Sequence, residues 1–467
     1  MNKDQKKSSE HQISRREALR MMTFGSIGLA MGGSVLQSCA PKNSSAGASA
    51  IKMSAPDGTR IVTRKWEALG EEVGLLGLGC MRLPQLPKGQ GRPGQLDQDK
   101  VNEMVDYALE HGINYFDTAP AYGDSERAVG EALQRHERSS YLLATKMSNF
   151  NRGHLPSFEE AKAMFEKSLA NLHTDYFDFY LLHCLESAKD FIVRFTENGL
   201  LDWLFEQKAA GRIHHLGFSF HGSNSDFDEL LNSKYKWDFV QIQMNYIDWK
   251  HGALHEEPNS EYLYNELYKR SIPVVIMEPL LGGQLATLND KASRQLRAIT
   301  PNSSIASWAF RFCGTHPGVM TVLSGMTYLE HVKDNVKTFS PLVPLTEDEL
   351  NLLEDVAKIF VDFPLVPCTA CNYCMPCPYG LDIPGVFAHY NKCINEGYVS
   401  EDEAGTKEYR KARRAFLVSL DRNVEKLRQA NHCIGCHKCM EACPQKIDIP
   451  HTMRRIDSYT EKIRRNG

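Results

Sequence analysis

Four residues could run proton chemistry together: Asp117, Tyr122, Lys146 and His183. Asp117 stands near the end of the apolar run Asn114–Thr118, and Ala119-Pro120-Ala121-Tyr122-Gly123 follows it. Lys146 closes the run Tyr141–Lys146, and His183 closes Tyr176–His183. Taken singly, a terminal lysine is usually a solvated strand end and a terminal histidine a satisfied rim residue. At the ends of three consecutive apolar runs, however, these side chains would face one cleft. A tyrosine, with a reference pKa near 10, is a poor acid at neutral pH. An ammonium beside it favours the phenolate and lowers that value. A carboxylate paired with the ammonium keeps the lysine charged and placed, and a neutral histidine can orient a substrate oxygen. Such a set donates a proton as a carbonyl is reduced, with hydride coming from elsewhere.

A second set of residues points to redox metal chemistry. Of thirteen cysteines, nine lie beyond residue 360. From Cys368 the pattern is C-T-A-C-N-Y-C-M-P-C-P, and from Cys433 it is C-I-G-C-H-K-C-M-E-A-C-P. The second is a C-x2-C-x2-C-x3-C-P run, a spacing that wraps thiolates around a 4Fe–4S cubane. Two runs imply two 4Fe–4S clusters, held by Cys368, Cys371, Cys374, Cys377, Cys433, Cys436, Cys439 and Cys443. Zinc is the alternative for repeated C-x2-C pairs, with the same eight ligands serving two sites. Thiolate triplets followed by Cys-Pro favour clusters. Cys80, Cys184, Cys313 and Cys393 read as ordinary buried thiols.

The elements that must position the first set alternate regularly. Apolar runs occur at 75–80, 114–118, 141–146, 176–183, 215–219, 239–245, 274–278 and 320–324. Helical patterns lie near 99–111, 125–136, 158–172, 199–210, 225–233, 260–270, 302–313 and 327–338. Eight strand–helix units over 59–345 predict an α/β fold, a (β/α)8 barrel. An open doubly wound sheet is the alternative, but Gly77-x-Gly79 lacks the third glycine of a dinucleotide loop. Barrel enzymes place their chemistry at the C-terminal ends of the strands, which is where the four residues fall.

The segments Gly112–Gly123, Ala144-Thr145-Lys146 and Asp178–His183 resemble the aldo-keto reductase family. That resemblance implies Tyr122 as general acid, Lys146 lowering its pKa, Asp117 holding Lys146 and His183 positioning the carbonyl. It also implies a nicotinamide dinucleotide, NAD or NADP, against Ser219, Gln241, Leu280, Gly282, Ser324, Gly325 and Asn335. The match there is partial. Phe220 replaces the usual Asn neighbour, Met277 stands where many relatives stack a Tyr, and Gly325 and His331 replace the Lys and Arg that grip a 2′-phosphate. Gln241, Gln243 and Asn245 share one strand face, which reads either as cofactor contact or as an internal polar network. The cysteine runs resemble bacterial ferredoxins. By that pattern Cys443 joins Cys368, Cys371 and Cys374, while Cys377 joins Cys433, Cys436 and Cys439. The first run is one residue short before Cys377. About 55 residues separate the runs and read as mainly helical, as at Glu408–Ala430. Aldo-keto reductase relatives with a C-terminal ferredoxin-like domain share this order, so 346–467 is expected to be a mainly α-helical two-cluster domain.

The first 38 residues read as an export signal. Lys3, Lys6, Lys7, Arg15, Arg16 and Arg20 precede an uncharged run, Met21–Gln37, too short to span a bilayer. Ser14-Arg15-Arg16-Glu17-Ala18-Leu19 resembles a twin-arginine signal, and Leu36-Gln37-Ser38-Cys39 a lipoprotein processing box. A plain basic leader is the alternative. Residues 39–58 would form a tether, with Cys39 as a lipid anchor and a periplasmic or cell-envelope location. The twin-arginine route carries folded, cofactor-loaded proteins, and the dinucleotide is expected to leave the cytoplasm already bound. Basic and acidic side chains number 54 and 58, which argues against a nucleic-acid partner. The 42% hydrophobic and 24% charged fractions exclude a largely disordered chain. The expected activity is hydride exchange between the dinucleotide and a small carbonyl or alcohol, with the clusters relaying electrons to a partner protein. A barrel-based redox sensor or an electron carrier without carbonyl turnover is the alternative.

Overall fold

Strands buried on both faces read as continuous apolar runs, and the eight runs of the sequence form such strands. The computed structural model describes residues 59–465 except 88, 93, 151–153, 252–259, 362–364 and 400–404. The export signal, Cys39 and the tether lie outside the described residues. The barrel strands are β3 (Leu76–Gly79), β4 (Tyr115–Asp117), β5 (Leu142–Met147), β6 (Phe177–Leu185), β7 (Ile213–Phe220), β8 (Phe239–Gln243), β9 (Val274–Met277) and β10 (Val319–Ser324). They close as β10-β3-β4-β5-β6-β7-β8-β9, every pair parallel. An antiparallel hairpin that the sequence reading missed precedes them, β1 (Thr63–Trp66) and β2 (Glu71–Gly74). Its Val73 joins the barrel's inner apolar cluster, with Trp66 and Leu69 packed against it.

That inner cluster sets the height of the chemistry. It contains Tyr115, Ala144, Leu181, Phe239 and Val275. Side chains alternate along a strand with period two. The next inward positions are therefore Asp117, Lys146, His183, Gln241 and Met277. A plug of apolar side chains fills the barrel, and the polar residues begin one layer above it.

The boundary expected at 345 falls just before a helix that packs on the barrel. The helix Glu347–Val361 buries Leu353, Val356, Ala357 and Phe360 in the barrel's outer core. Its apolar face belongs to the barrel, so the second core begins only at Val366. That core gathers residues of the helices Ile383–Asn395, Lys407–Asn423 and Ile449–Arg465. The helix expected over 408–430 stops at Asn423, with short 3-10 turns at Lys426–Arg428 and Ala430–His432.

The cysteine module sits on the barrel mouth. Gln284 Nε2 donates to the Cys368 carbonyl at 3.2 Å, and Arg82 donates to the Thr369 carbonyl. Asn395 Nδ2 donates to the Thr287 carbonyl at 3.2 Å, and Lys446 pairs with Glu186. The closest approach is at Gly282, where φ is +66° and a Cβ would come within 2.4 Å of Thr369 Cα. Only a glycine satisfies both the backbone angle and that contact. Gly282→Ala should therefore lift the module from the mouth at a cost of about 1–3 kcal/mol. Thermal unfolding and faster proteolytic cleavage between the two cores would read that loss.

Candidate active site

The centre of the mouth is a buried ion pair. Lys146 has no exposed surface, and its Nζ donates to Asp117 Oδ1 at 2.6 Å and to the Thr118 carbonyl at 2.7 Å. Burial pushes the Asp117 carboxyl up and the Lys146 ammonium down, and the pairing opposes both shifts. Lys146 Nζ lies 4.9 Å from the centroid of the Tyr122 ring. The sequence reading had the lysine lowering the tyrosine's pKa. Here its hydrogen bonds go to Asp117 and Thr118, and burial holds the Tyr122 hydroxyl well above 10, with Tyr373, Asp117, Cys184 and Glu278 adding to the rise.

His183 stands edge-on to Tyr122, with ring centroids 5.7 Å apart. Its Nδ1 shares a hydrogen bond with Ser148 Oγ at 2.7 Å, and its Nε2 one with the Tyr373 hydroxyl at 3.3 Å. Behind it, the buried Arg194 donates to the carbonyls of His183 and Cys184 at 2.6 and 3.0 Å. These bonds fix the end of β6, where Cys184 adopts a φ of 57°.

Asp117, Tyr122 and His183 open into a cleft of about 500 Å³. Ser219, Gln241, Leu280, Gly282, Ser324, Gly325 and Asn335, the seven expected cofactor contacts, line the same cleft. Lys146 lies beneath its surface. Ser219 Oγ accepts from the Cys184 backbone N–H at 2.7 Å, and Asn335 Nδ2 donates to Ser324 Oγ at 3.0 Å. Gln241 Nε2 points at Met277 Sδ, 3.5 Å away, while its buried Oε1 has no protein partner. A buried amide oxygen without a donor is costly, and a ligand carboxamide would satisfy it. Gln243 and Asn245 instead donate to Asp248 Oδ2 at 2.7 and 2.8 Å. The polar face of β8 thus splits between a cleft residue and a protein network.

The eight proposed ligand cysteines surround two cavities. Cys368, Cys371, Cys374 and Cys443 line one; Cys377, Cys433, Cys436 and Cys439 line the other. This is the crossed grouping expected from the sequence, and the short first run does not prevent it. None of these cysteines is in a disulfide. Burial pushes the Cys368 thiol up to about 12 and the Cys371 and Cys439 thiols up to about 11, and neighbouring thiols add to these shifts. Metal ligation needs thiolates. Cys368, Cys371, Cys374 and Cys443 are all raised by burial, and four crowded sulfurs around one cavity are suited to a cationic core among them, so the donor set fits iron. Cys393 lies outside both groups, buried near His389 and Ser419.

The catalytic cleft and the first four-cysteine cavity share three wall residues: Thr369, Cys371 and Gln445. Sequence reasoning missed this joint. It also missed Tyr373, Ser148, Arg82 and Glu278. The Glu278 carboxylate is raised by burial and accepts from the Gly282 N–H at 2.7 Å.

The family model for aldo/keto reductases matches residues 75–358. The chain belongs to the aldo/keto reductase family. A 4Fe-4S dicluster model matches residues 367–448, so this member joins a reductase barrel to a cluster-type module. The uncharacterised oxidoreductase YqkF of Bacillus subtilis is 27% identical over 318 residues, 62% of this chain and 94% of its own. L-galactose dehydrogenase of Arabidopsis thaliana is 25% identical over 314 residues, 63% of this chain and 93% of its own. The holo form of an aldo-keto reductase from Bacillus halodurans superposes with a TM-score of 0.50 at 25% identity, covering 66% of this chain and 96% of that one.

Two outcomes follow from the buried pair and its neighbour. Lys146→Met leaves the Asp117 carboxylate buried and unpaired, a loss of about 3–5 kcal/mol. Calorimetry should find part of it recovered in the Lys146→Met/Asp117→Asn double variant. A raised pKa means that Tyr122 keeps its proton at higher pH. A rate that depends on that proton should stay level through pH 9 and fall only beyond the ordinary tyrosine value.

Proposed function

We propose that this aldo/keto reductase exchanges a hydride between a nicotinamide dinucleotide and a carbonyl or alcohol. We further propose that two 4Fe–4S clusters relay electrons between that site and a partner protein. When bound, the nicotinamide supplies or accepts the hydride, and the clusters supply single-electron transfer. Tyr122 gives its proton to the substrate oxygen, and His183 orients that oxygen. Lys146 and Asp117 hold the charge beneath them, and Gln241 receives the carboxamide. Cys368, Cys371, Cys374 and Cys443 hold one cluster; Cys377, Cys433, Cys436 and Cys439 hold the other.

The observation that carries this reading is the shared wall of Thr369, Cys371 and Gln445 between the cleft and the first cysteine cavity. Electron relay needs the two sites close together, which a shared wall provides, whereas a scaffold barrel has no such need. Arg82 is the single lysine or arginine on the cleft wall among the described residues, and it is engaged by the Thr369 carbonyl. His331 and Asp334 also line the cleft. A wall so poor in cations favours NAD over its 2′-phosphorylated form.

The amino-terminal signal would carry the folded protein out by the twin-arginine route, with Cys39 as its lipid anchor in the cell envelope. The dinucleotide would travel in the cleft and be recycled there. Protein matured in its own envelope should contain about eight iron atoms per chain, two clusters' worth, and retain a dinucleotide. Tyr122→Phe should cut turnover by about 10²–10⁴-fold while iron and nucleotide content stay unchanged. Exported protein without nucleotide, active only with added NAD(P)H, would sink the retained-cofactor reading.

A further inference from the structure

The catalytic histidine is enclosed by aromatic rings, and one of them does not belong to the barrel. Tyr122, Phe150 and Tyr373 have ring centroids 5.7, 5.2 and 6.4 Å from that of His183. Phe150 and Tyr373 also lie against each other, at 5.6 Å. Tyr373 sits between Cys371 and Cys374, two residues of the first four-cysteine cavity. The loop turns through Ala370 and Asn372 at φ values of 51° and 66°. It carries the Tyr373 ring into the cleft, where the hydroxyl meets His183 Nε2 at 3.3 Å.

A substrate oxygen that reaches Tyr122 and His183 must enter the space this hydroxyl faces. Its carbon body must lie against the rings. Flat apolar carbonyl compounds suit such an enclosure. A polyhydroxylated one would leave the hydroxyls set against those rings without partners, and sites discriminate most strongly against that mismatch.

We propose that Tyr373, supplied by the cysteine module, is a specificity-determining residue of the barrel's substrate site, selecting aromatic aldehydes or ketones and hydrogen-bonding their oxygen beside His183. The inference rests on the carbonyl/alcohol reading above. It adds that the substrate site is complete only when the cysteine module is docked and its first loop held. No electron needs to pass for this to be true, so it stands apart from the relay.

The test uses the full holoprotein, with cluster absorbance and nucleotide content checked in every variant. 4-Nitrobenzaldehyde is the aromatic probe and glyceraldehyde the polar one. Their dissociation constants are read by equilibrium dialysis and their turnover is read separately. Tyr373→Phe keeps the ring and loses one hydrogen bond, and should weaken nitrobenzaldehyde binding about 3- to 10-fold. Tyr373→Ala opens the wall, and should weaken it further and bring the preference over glyceraldehyde towards unity. Iron chelation should reproduce the alanine result in the wild-type protein, because the loop is then released.

Dissociation constants within twofold of wild type in both variants would overturn the inference. So would a wild-type protein that prefers glyceraldehyde or binds neither aldehyde. Wild-type protein that binds nitrobenzaldehyde without reducing it would count against the reductase reading alone. The binding ratios would still decide the role of Tyr373.

Discussion

An ammonium with no exposed surface, held by one carboxylate oxygen at 2.6 Å, is the constraint around which the mouth is built. A buried charge is tolerable only when its partners are placed by something rigid. Here that is the parallel register of β4 and β5, which sets Asp117 beside Ala144 and carries Lys146 two residues further along. The apolar plug below forces the charges to the top of the barrel. The Thr118 carbonyl supplies a second acceptor for Nζ. Everything the cleft does with protons depends on this pair staying dry and paired.

Dryness has its own structural source. A bare barrel mouth is open to water, whereas this one carries a second folded unit. Thr369 lies on Gly282, Arg82 reaches the Thr369 carbonyl, and Tyr373 meets His183. Burial is the leading cause of the raised Tyr122 pKa and Tyr373, from the module, its next contributor. The module therefore acts on the barrel's chemistry through solvation and geometry as well as through any electrons it carries.

The barrel was legible in the sequence because its strands are buried on both faces and alternate with helical patterns. Three of the catalytic candidates could be read from such runs: Lys146 and His183 close theirs and Asp117 stands one residue from the end of its own. The crossed cysteine grouping was legible through the resemblance of the two runs to bacterial ferredoxins. What could not be read depends on long-range packing. The β1–β2 hairpin is four residues a strand and half exposed, with no run to mark it. The helix Glu347–Val361 follows a proline-bounded loop and looks like the start of a new domain, yet its apolar stripe faces the barrel. Tyr373 is 190 residues from His183, and nothing between Cys371 and Cys374 announces that the ring leaves the loop for the cleft. Glycine at 282 was read as a cofactor contact. It does line the cleft, but its backbone angle and lack of a side chain are required by Thr369.

The two halves of the proposed reaction differ in electron count, and the arrangement of cysteines bears on this. Oxidation of an alcohol releases electrons as a pair, whereas an iron–sulfur centre takes one at a time. In the proposed reaction, two sites in one module could hold such a pair between them, one electron each. Cys443 follows Cys439 in sequence but lines the other cavity, and Cys377 does the reverse with Cys374. The crossing ties the two sites into one folded unit, with Ile383 and Ile449 lining both cavities. Among the described residues, only the first site shares a wall with the cleft. The second has an exposed cysteine, Cys436, and in the proposed reaction it would face the partner. In the proposed reaction this order gives the module a direction, from the buried cleft through the shared wall to the exposed site.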